Sequence, residues 1–304
     1  MRVLLTGGGG FIGRHVLASL RHPGVEVLAL GRTRPPGLAV ESFAGADLLA
    51  DDPLPDAIAR FAPTHLIHLA WVTGHGAYLS SPDNARWACA TTRLVQAFHD
   101  AGGRHVVVAG TCAEYDVARG LCREDSTPLE PSTPYGVAKD ATRRRVAAAC
   151  AARGVSCAWA RIFLVHGAGE DARRLVPSLA AALTGTSPPF AVNLPAWRDF
   201  LHASDVAEGL VALARHGADG AYNVSSGEPV RLREIVTRVA ALLGADPSPI
   251  LDLGAAARPG EPPLLVGESL RLRALGWRPR LSLADGLART LESRRAETGA
   301  PLPH

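Results

Sequence analysis

Along the first half of the chain, short apolar runs alternate with stretches whose apolar positions recur every three to four residues. The runs cover Arg2 to Thr6, Val25 to Leu30, Thr64 to Leu69, Arg104 to Ala109 and Val155 to Arg161. The helical period occupies about Gly10 to Arg21, Asp83 to Ala101 and Tyr135 to Arg153. Strand and helix in strict alternation predict an α/β fold, a Rossmann-like doubly wound parallel sheet.

Beyond Arg161 the texture loosens. Helices are predicted near Asp171 to Thr184, Asp205 to His216, Arg231 to Leu243 and Leu283 to Arg295. Between them lie breaker-rich stretches such as Ser187-Pro188-Pro189 and Arg258-Pro259-Gly260-Glu261-Pro262-Pro263. This predicts a smaller C-terminal α/β substrate-binding domain over the sheet's carboxyl edge, where ligands bind in such folds. The sheet domain is assigned to about 1–165 with about 199–226. The smaller domain takes about 166–198 and 227–296, and 297–304 form a frayed tail.

Composition narrows the partners. With 47% hydrophobic and 20% charged residues the 304-residue chain is globular, and no apolar run approaches the ~18 residues of a membrane span. Met1 to Gly7 runs straight into a glycine-rich turn without a signal-peptide pattern, so a cytoplasmic address is expected. Five cysteines without a Cys-x-x-Cys pair indicate neither a disulfide framework nor a zinc ribbon. His65 and His68 lie on opposite faces of a strand, and no metal is expected. A net charge of +3 with scattered arginines argues against nucleic acid, Arg143-Arg144-Arg145 reading as a solvated face.

Candidate chemistry begins after the first strand, in Thr6-Gly7-Gly8-Gly9-Gly10-Phe11-Ile12-Gly13. Gly7 permits the turn, Gly10 lets backbone approach a pyrophosphate, and Gly13 allows the helix to pack closely. The diphosphate would rest on the helix start at Gly10, Phe11 and Ile12. Which dinucleotide binds is decided at the end of the second strand, where a carboxylate would hold the adenosine ribose of NAD. Gly31-Arg32-Thr33-Arg34 has no acid; Arg32 and Arg34 can pair a 2′-phosphate, which favours NADP(H) and leaves NAD possible. The alternative is two solvated loop arginines. Asp47 and Leu48 are placed at the adenine, and Leu69 and Ala70 beside the dinucleotide.

The chain has a single lysine, Lys139, four residues after Tyr135. Helical spacing puts both on one face. A tyrosine titrates at ~10 and would need a drop of ~3 units to act as a base near neutrality. A neighbouring ammonium supplies part of that drop, ~1–3 units. The plainer alternative is a packed tyrosine and a solvated lysine.

Several motifs stand in one order: Thr6 to Gly13, His68 to Ala70, Gly110-Thr111-Cys112-Ala113-Glu114-Tyr115, Tyr135 to Lys139, Arg198-Asp199-Phe200-Leu201-His202 with Asp205, Asn223 to Pro229, and Leu275-Gly276-Trp277. Together they resemble the extended short-chain dehydrogenase/reductase superfamily, in its nucleotide-sugar epimerase/dehydratase/ketoreductase branch, over nearly the whole chain. The resemblance implies that Tyr135 exchanges a proton with the sugar oxygen at the reacting carbon. It implies that Lys139 bonds the nicotinamide ribose and that Thr111 bonds the same sugar oxygen. It further places Trp71 and Tyr115 against the substrate and Arg198 and Arg258 at the nucleotide or its diphosphate, an ion pair being the alternative for both arginines. A homodimer built on the two long helices is the family expectation.

Departures from the family pattern restrict the reaction. The 4,6-dehydratases carry Asp-Glu after the threonine, where this chain has Cys112-Ala113, and the related decarboxylases need a glutamate at the position of Ala113. Glu114 is one place further on and, on an extended segment, should point elsewhere. Cys112 reads as a small buried filler rather than a nucleophile. Trp87 and Leu164 replace family asparagines, which disfavours ordinary epimerase geometry. The resemblance therefore implies an NADPH-dependent reduction of the C4 keto group of a nucleotide-linked 4-keto-6-deoxyhexose. The alternatives are an NAD-dependent 4-epimerase and, in another class, a non-catalytic NADP(H)-sensing protein.

Overall fold

The computed structural model describes residues 1–304 except 51, 53, 55, 255–260 and 299–304. Its strands are β1 (Arg2–Thr6), β2 (Glu26–Gly31), β3 (Phe43–Gly45), β4 (His65–His68), β5 (His105–Thr111), β6 (Leu121–Cys122), β7 (Ser156–Ile162), β8 (Leu164–His166), β9 (Trp197–His202), β10 (Gly220–Val224), β11 (Pro229–Arg231) and β12 (Leu264–Gly267). The helices are α1 (Phe11–Ser19), α2 (Ala57–Phe61), α3 (Asp83–Asp100), α4 (Pro134–Ala151), α5 (Leu175–Leu183), α6 (Ala203–Arg215), α7 (Leu232–Leu243), α8 (Ser248–Leu251), α9 (Leu270–Ala274) and α10 (Leu283–Thr298).

Seven strands form one sheet in the order β10-β7-β5-β4-β1-β2-β3, every neighbouring pair parallel. Parallel strands need helical crossovers, so both faces are covered and the strands are buried on both sides. On one face, Val3, Leu5, Ile67 and Val107 pack with α1 and α6. On the other, Leu4, Leu66, Val106 and Val108 pack against α3 and α4. Successive residues of one strand thus enter opposite cores. The strand order reverses at β1, with β2 on one side and β4 on the other, and leaves a crevice at the carboxyl ends of β1 and β4.

A second sheet of five strands centres on β9, which pairs with β11, β12 and β8, while β6 pairs with β12. With α5, α7 and α10 it encloses a separate core around Leu179, Phe200, Ile235, Val239 and Leu287. Trp197–His202 is a strand here, although its polar Arg198, Asp199 and His202 hid that from the apolar pattern. The helix expected from Asp171 begins at Leu175, because the Asp171 carboxylate accepts from the Arg173 N–H and holds a turn there. Of the tail expected over 297–304, residues 297 and 298 belong to α10, which runs to Thr298, and 299–304 lie outside the described residues. Among the described residues no helix is long and apolar enough to cross a membrane.

Candidate active site

The chain leaves β1 through Gly7 at φ +72°, a conformation that favours glycine. A Cβ there would sit 2.9 Å from the Ala70 nitrogen, and one at Gly13 would sit 1.9 Å from the Gly7 carbonyl oxygen. Only bare backbone lets the turn close, with the Gly10 N–H donating to Gly7 O at 2.9 Å. Helix α1 starts at Phe11 with Gly10 as its cap, no side-chain cap bond and no acid in its first turn. Its leading N–H groups are left for an anion. The residues present therefore fit a dinucleotide diphosphate.

A buried chain of hydrogen bonds fixes this crevice. Thr6 Oγ1 accepts from the Leu69 and Ala70 N–H groups at 3.2 Å each. Its own proton therefore goes to His68 Nδ1, 2.6 Å away, and His68 Nε2 donates to Thr91 Oγ1 at 2.8 Å. Burial, with the charge of Lys139 adding to it, pushes His68 down to about 3, so the imidazole is neutral. This ties β1, β4 and α3 together directly beneath Leu69 and Ala70.

Along the same edge, Arg32 and Arg34 follow β2 and are exposed, Arg34 donating to Leu38 O at 2.7 Å. No atom lies within 4 Å of a Cβ built on Gly31. Asp47, just past β3, is exposed and accepts from the Leu49 N–H at 3.0 Å. Leu48 corrects its expectation in part. The residue is 4% exposed, its side chain belongs to the core under β2, and its carbonyl accepts from Arg93 Nη2 at 2.8 Å.

Strand β5 ends at Thr111, beside the carboxyl end of β7. Helix α4 is capped by Thr133 and starts at Pro134, so Tyr135 and Lys139 occupy its first two turns. A Cβ at Gly136 would come within 2.3 Å of the Ala113 carbonyl oxygen. That close approach sets the start of α4, with Tyr135, against the turn that follows Thr111. Burial pushes the Tyr135 phenol above its usual value, the neighbouring Thr111 hydroxyl opposing the rise in part. Lys139 is 3% exposed, donates to Ala109 O at 2.8 Å, and lies 3.8 Å from the centre of the Trp71 ring. Burial brings it down to about 7. Tyr135, Thr111 and Lys139 are thus gathered at one point of the sheet edge.

Three substrate assignments change. Trp71 is 8% exposed, stacks on Trp87 and donates to Asn84 Oδ1 at 2.8 Å, so it backs Lys139 instead of facing an open cleft. Tyr115 is 1% exposed and packs with Cys122 and Phe163; its hydroxyl donates to Asn223 Oδ1 at 2.8 Å. The cause is local: residues 112–114 form a 3-10 turn instead of continuing the strand, which swings Tyr115 inward. Arg198 is buried in an ion pair with Glu261 at 2.7 Å and donates to the carbonyls of Trp197 and Pro262. Arg258 lies outside the described residues. Cys112 is partly buried, and burial raises its thiol to about 12, which removes it as a nucleophile near neutrality.

Residues 3–225, which carry the cradle, Thr111, Tyr135 and Lys139, match the model of the NAD dependent epimerase/dehydratase family. The chain belongs to that family. It is similar to a UDP-glucose 4-epimerase of Azospirillum brasilense, 30% identical over 342 residues that cover 99% of this chain and 95% of that protein. It is also similar to a dTDP-6-deoxy-L-talose 4-dehydrogenase (NAD(P)(+)) of Kitasatospora kifunensis, 30% identical over 319 residues, 99% of this chain and 97% of that one. Among solved structures, MoeE5 in complex with UDP-glucose and NAD superposes with a TM-score of 0.81 at 29% identity, covering 98% of this chain and 100% of that one. This epimerase/dehydratase-family protein is accordingly an NAD(P)-dependent enzyme of the oxidoreductase type.

Several residues of this family member were not legible as site residues. Tyr78 meets the Tyr135 ring edge-on at 5.0 Å, and the Arg174 guanidinium lies 5.6 Å from the Tyr78 ring centre. Asn84 is 2% exposed and joins Trp71 to the Tyr78 carbonyl. Glu114 and Arg161 pair at 2.9 Å behind Thr111. Tyr78 carried one weak signal, being one of four tyrosines in the chain.

Proposed function

We propose that this enzyme reduces the C4 keto group of a nucleotide-linked 4-keto-6-deoxyhexose with NADPH. The observation that carries the reading is the end of β2, where Gly31 leaves space, Arg32 and Arg34 are exposed, and no acid stands to repel a 2′-phosphate. The likeness to a 4-dehydrogenase named for NAD(P)(+) supports it. The glycine cradle and the α1 start would hold the diphosphate, Lys139 the nicotinamide ribose, and the bound nicotinamide supplies hydride. Tyr135, whose phenol is protonated at neutral pH and which burial raises further above its usual value, gives its proton to the C4 oxygen. Thr111 bonds the same oxygen and orients it against the phenol. Cys112 and Ala113 offer no acid or base for eliminating water, which separates this chemistry from dehydration.

In this reading the second sheet with α5, α7 and α10 forms the substrate domain, and the nucleotide binds between it and the carboxyl edge. The exposed faces of α3 (Ala85, Cys89, Gln96) and α4 (Val137, Arg144, Ala148) pair with those of a second copy. A strictly monomeric active species in a solution mass measurement rejects the dimer.

A 4-epimerase is the second reading, favoured by the Azospirillum relative and by the likeness to MoeE5 bound to UDP-glucose and NAD. The same residues would serve, with the cofactor retained between half-reactions. Denaturing the purified protein and quantifying the nicotinamide released per chain separates the two. A site that exchanges freely and prefers NADPH, with turnover of a dTDP- or UDP-linked 4-keto-6-deoxyglucose, supports reduction. Near-stoichiometric NAD with interconversion of UDP-glucose rejects it for the epimerase.

A further inference from the structure

Glu114 is 0% exposed. Its Oε1 accepts from the Thr111 N–H at 2.8 Å and from Trp159 Nε1 at 2.8 Å. Its Oε2 accepts from Trp159 Nε1 at 2.9 Å and Arg161 Nε at 2.9 Å. Every polar group touching the carboxylate is a donor. Burial pushes the carboxyl above the usual carboxylate range, but a protonated carboxyl would need an acceptor and among the described residues none faces it, so the surrounding donors hold Glu114 ionised. Arg161, 1% exposed, donates through Nη1 to the Tyr115 hydroxyl at 2.9 Å, and Tyr115 passes the chain to Asn223. Asn223 is itself held by the Cys122 and Glu268 carbonyls, both 3.0 Å away, and by Glu124.

Such a pair is an inefficient way to hold a core together. Taking both charges out of water cancels most of their attraction, and well-packed apolar residues of similar volume often fold as well or better. Its location supplies a different reason. Glu114 accepts from the Thr111 peptide while the Thr111 hydroxyl accepts from the Ala113 N–H, a reciprocal capping box that fixes the corner where β5 ends. A Cβ on Gly110 would come within 2.2 Å of Trp159 Nε1 and 2.8 Å of Glu114 Oε1, so the strand end lies directly on the pair. The same negative charge also favours the ammonium form of Lys139.

We infer that Glu114, anchored by Arg161, is a positioning residue that sets the Thr111 hydroxyl against Tyr135 for proton transfer. The inference rests on the roles proposed above for Thr111 and Tyr135, and it applies equally to ketoreduction and epimerisation.

The test uses the full-length protein with its nicotinamide, on whichever of a 4-keto sugar nucleotide or UDP-glucose the unmodified protein turns over. Failure of the reductase reading then shows in the unmodified protein, and failure of this inference only in the variants. The double variant Glu114→Leu, Arg161→Met is expected to fold, with KM for sugar and nicotinamide within about twofold and kcat down about 10-fold or more. A folded double variant with unchanged kcat, or one whose loss lies wholly in KM, overturns the inference. Should the double variant not fold, Glu114→Gln preserves the shape and is expected to lose kcat about 3–10-fold at unchanged KM. Unchanged kcat there is equally fatal. In a Thr111→Ala background the Glu114→Gln change is expected to cost nothing further, because the residue acts through Thr111; a full additive loss overturns the assignment.

Discussion

At the carboxyl ends of β1 and β4 the binding surface is backbone: Gly7, Gly10 and Gly13 present peptide groups and a helix start, and side chains are excluded by contacts as short as 1.9 Å. On the next strand beyond β4, at β5 and the start of α4, the working groups are side chains largely withdrawn from water, with Lys139 at 3% and Thr111 at 8% exposure. The first region needs no ionisable group, since peptide N–H groups and the helix dipole carry the charge complementarity. The second depends on burial, which pushes Tyr135 above its usual value and brings Lys139 down to about 7. One site thus combines a surface that is insensitive to side-chain chemistry with a cluster governed by it.

Substitutions break the comparison in order of size. Tyr135→Phe removes the proton but little shape, and kcat is expected to fall by about 10²–10⁴ with nicotinamide affinity nearly unchanged; steady-state kinetics with a fluorescence titration of NADPH checks both. Loss of affinity in place of turnover would merge the two regions. Gly13→Ala does the reverse. Its methyl collides with the Gly7 carbonyl, so stability is expected to drop by about 1–3 kcal/mol, with weaker cofactor binding and a smaller change in kcat. Denaturant unfolding with and without nicotinamide measures it.

The pH dependence of the cofactor-free protein sharpens the contrast. His68 beneath the cradle has a folded value of about 3, and Lys139 in the cluster one of about 7. Both are depressed, so the unfolded chain binds more protons and stability rises with pH through each window. His68 contributes stability that is lost as pH falls from about 6.5 towards 3, and Lys139 contributes a rise between about 7 and 10.5, each at no more than about 1.4 kcal/mol per pH unit. Lys139→Met is expected to flatten the upper window and to narrow the lower one only slightly, because burial is the larger cause at His68 and the Lys139 charge the smaller; urea titrations at stepped pH show whether it does. The smallest effect is expected at the rim. Gly31→Asp should move the NADPH/NADH preference by about tenfold towards NADH, because a carboxylate there meets a ribose hydroxyl but repels a 2′-phosphate. An unmoved ratio of kcat/KM values would remove Arg32 and Arg34 from cofactor choice.

The parts of the fold legible in the chain were those specified locally. Arg2–Thr6 and the α3 and α4 helices stand where periodicity put them, because a strand or helix face is written in consecutive residues. Strand β9 was not legible, since its polar residues are buried by partners elsewhere: Arg198 by Glu261, and Asp199 by the backbone N–H groups of Ser226, Gly227 and Gly267. Tyr115 was read as a substrate contact from its place in a motif, and a 3-10 turn three residues long reversed its direction.

By itself, then, the sequence determined the doubly wound sheet, the glycine turn after the first strand and the pairing of Tyr135 with Lys139 on one helix face. All three follow from spacings of a few residues and from the steric freedom of glycine. The tertiary structure alone decided that Lys139 is covered by Trp71, that His68 is neutral between two threonines, and that Glu114 meets Arg161 behind Thr111. Desolvation and partner choice depend on residues brought together across the sheet, and no local pattern encodes which distant donor will face a buried carboxylate.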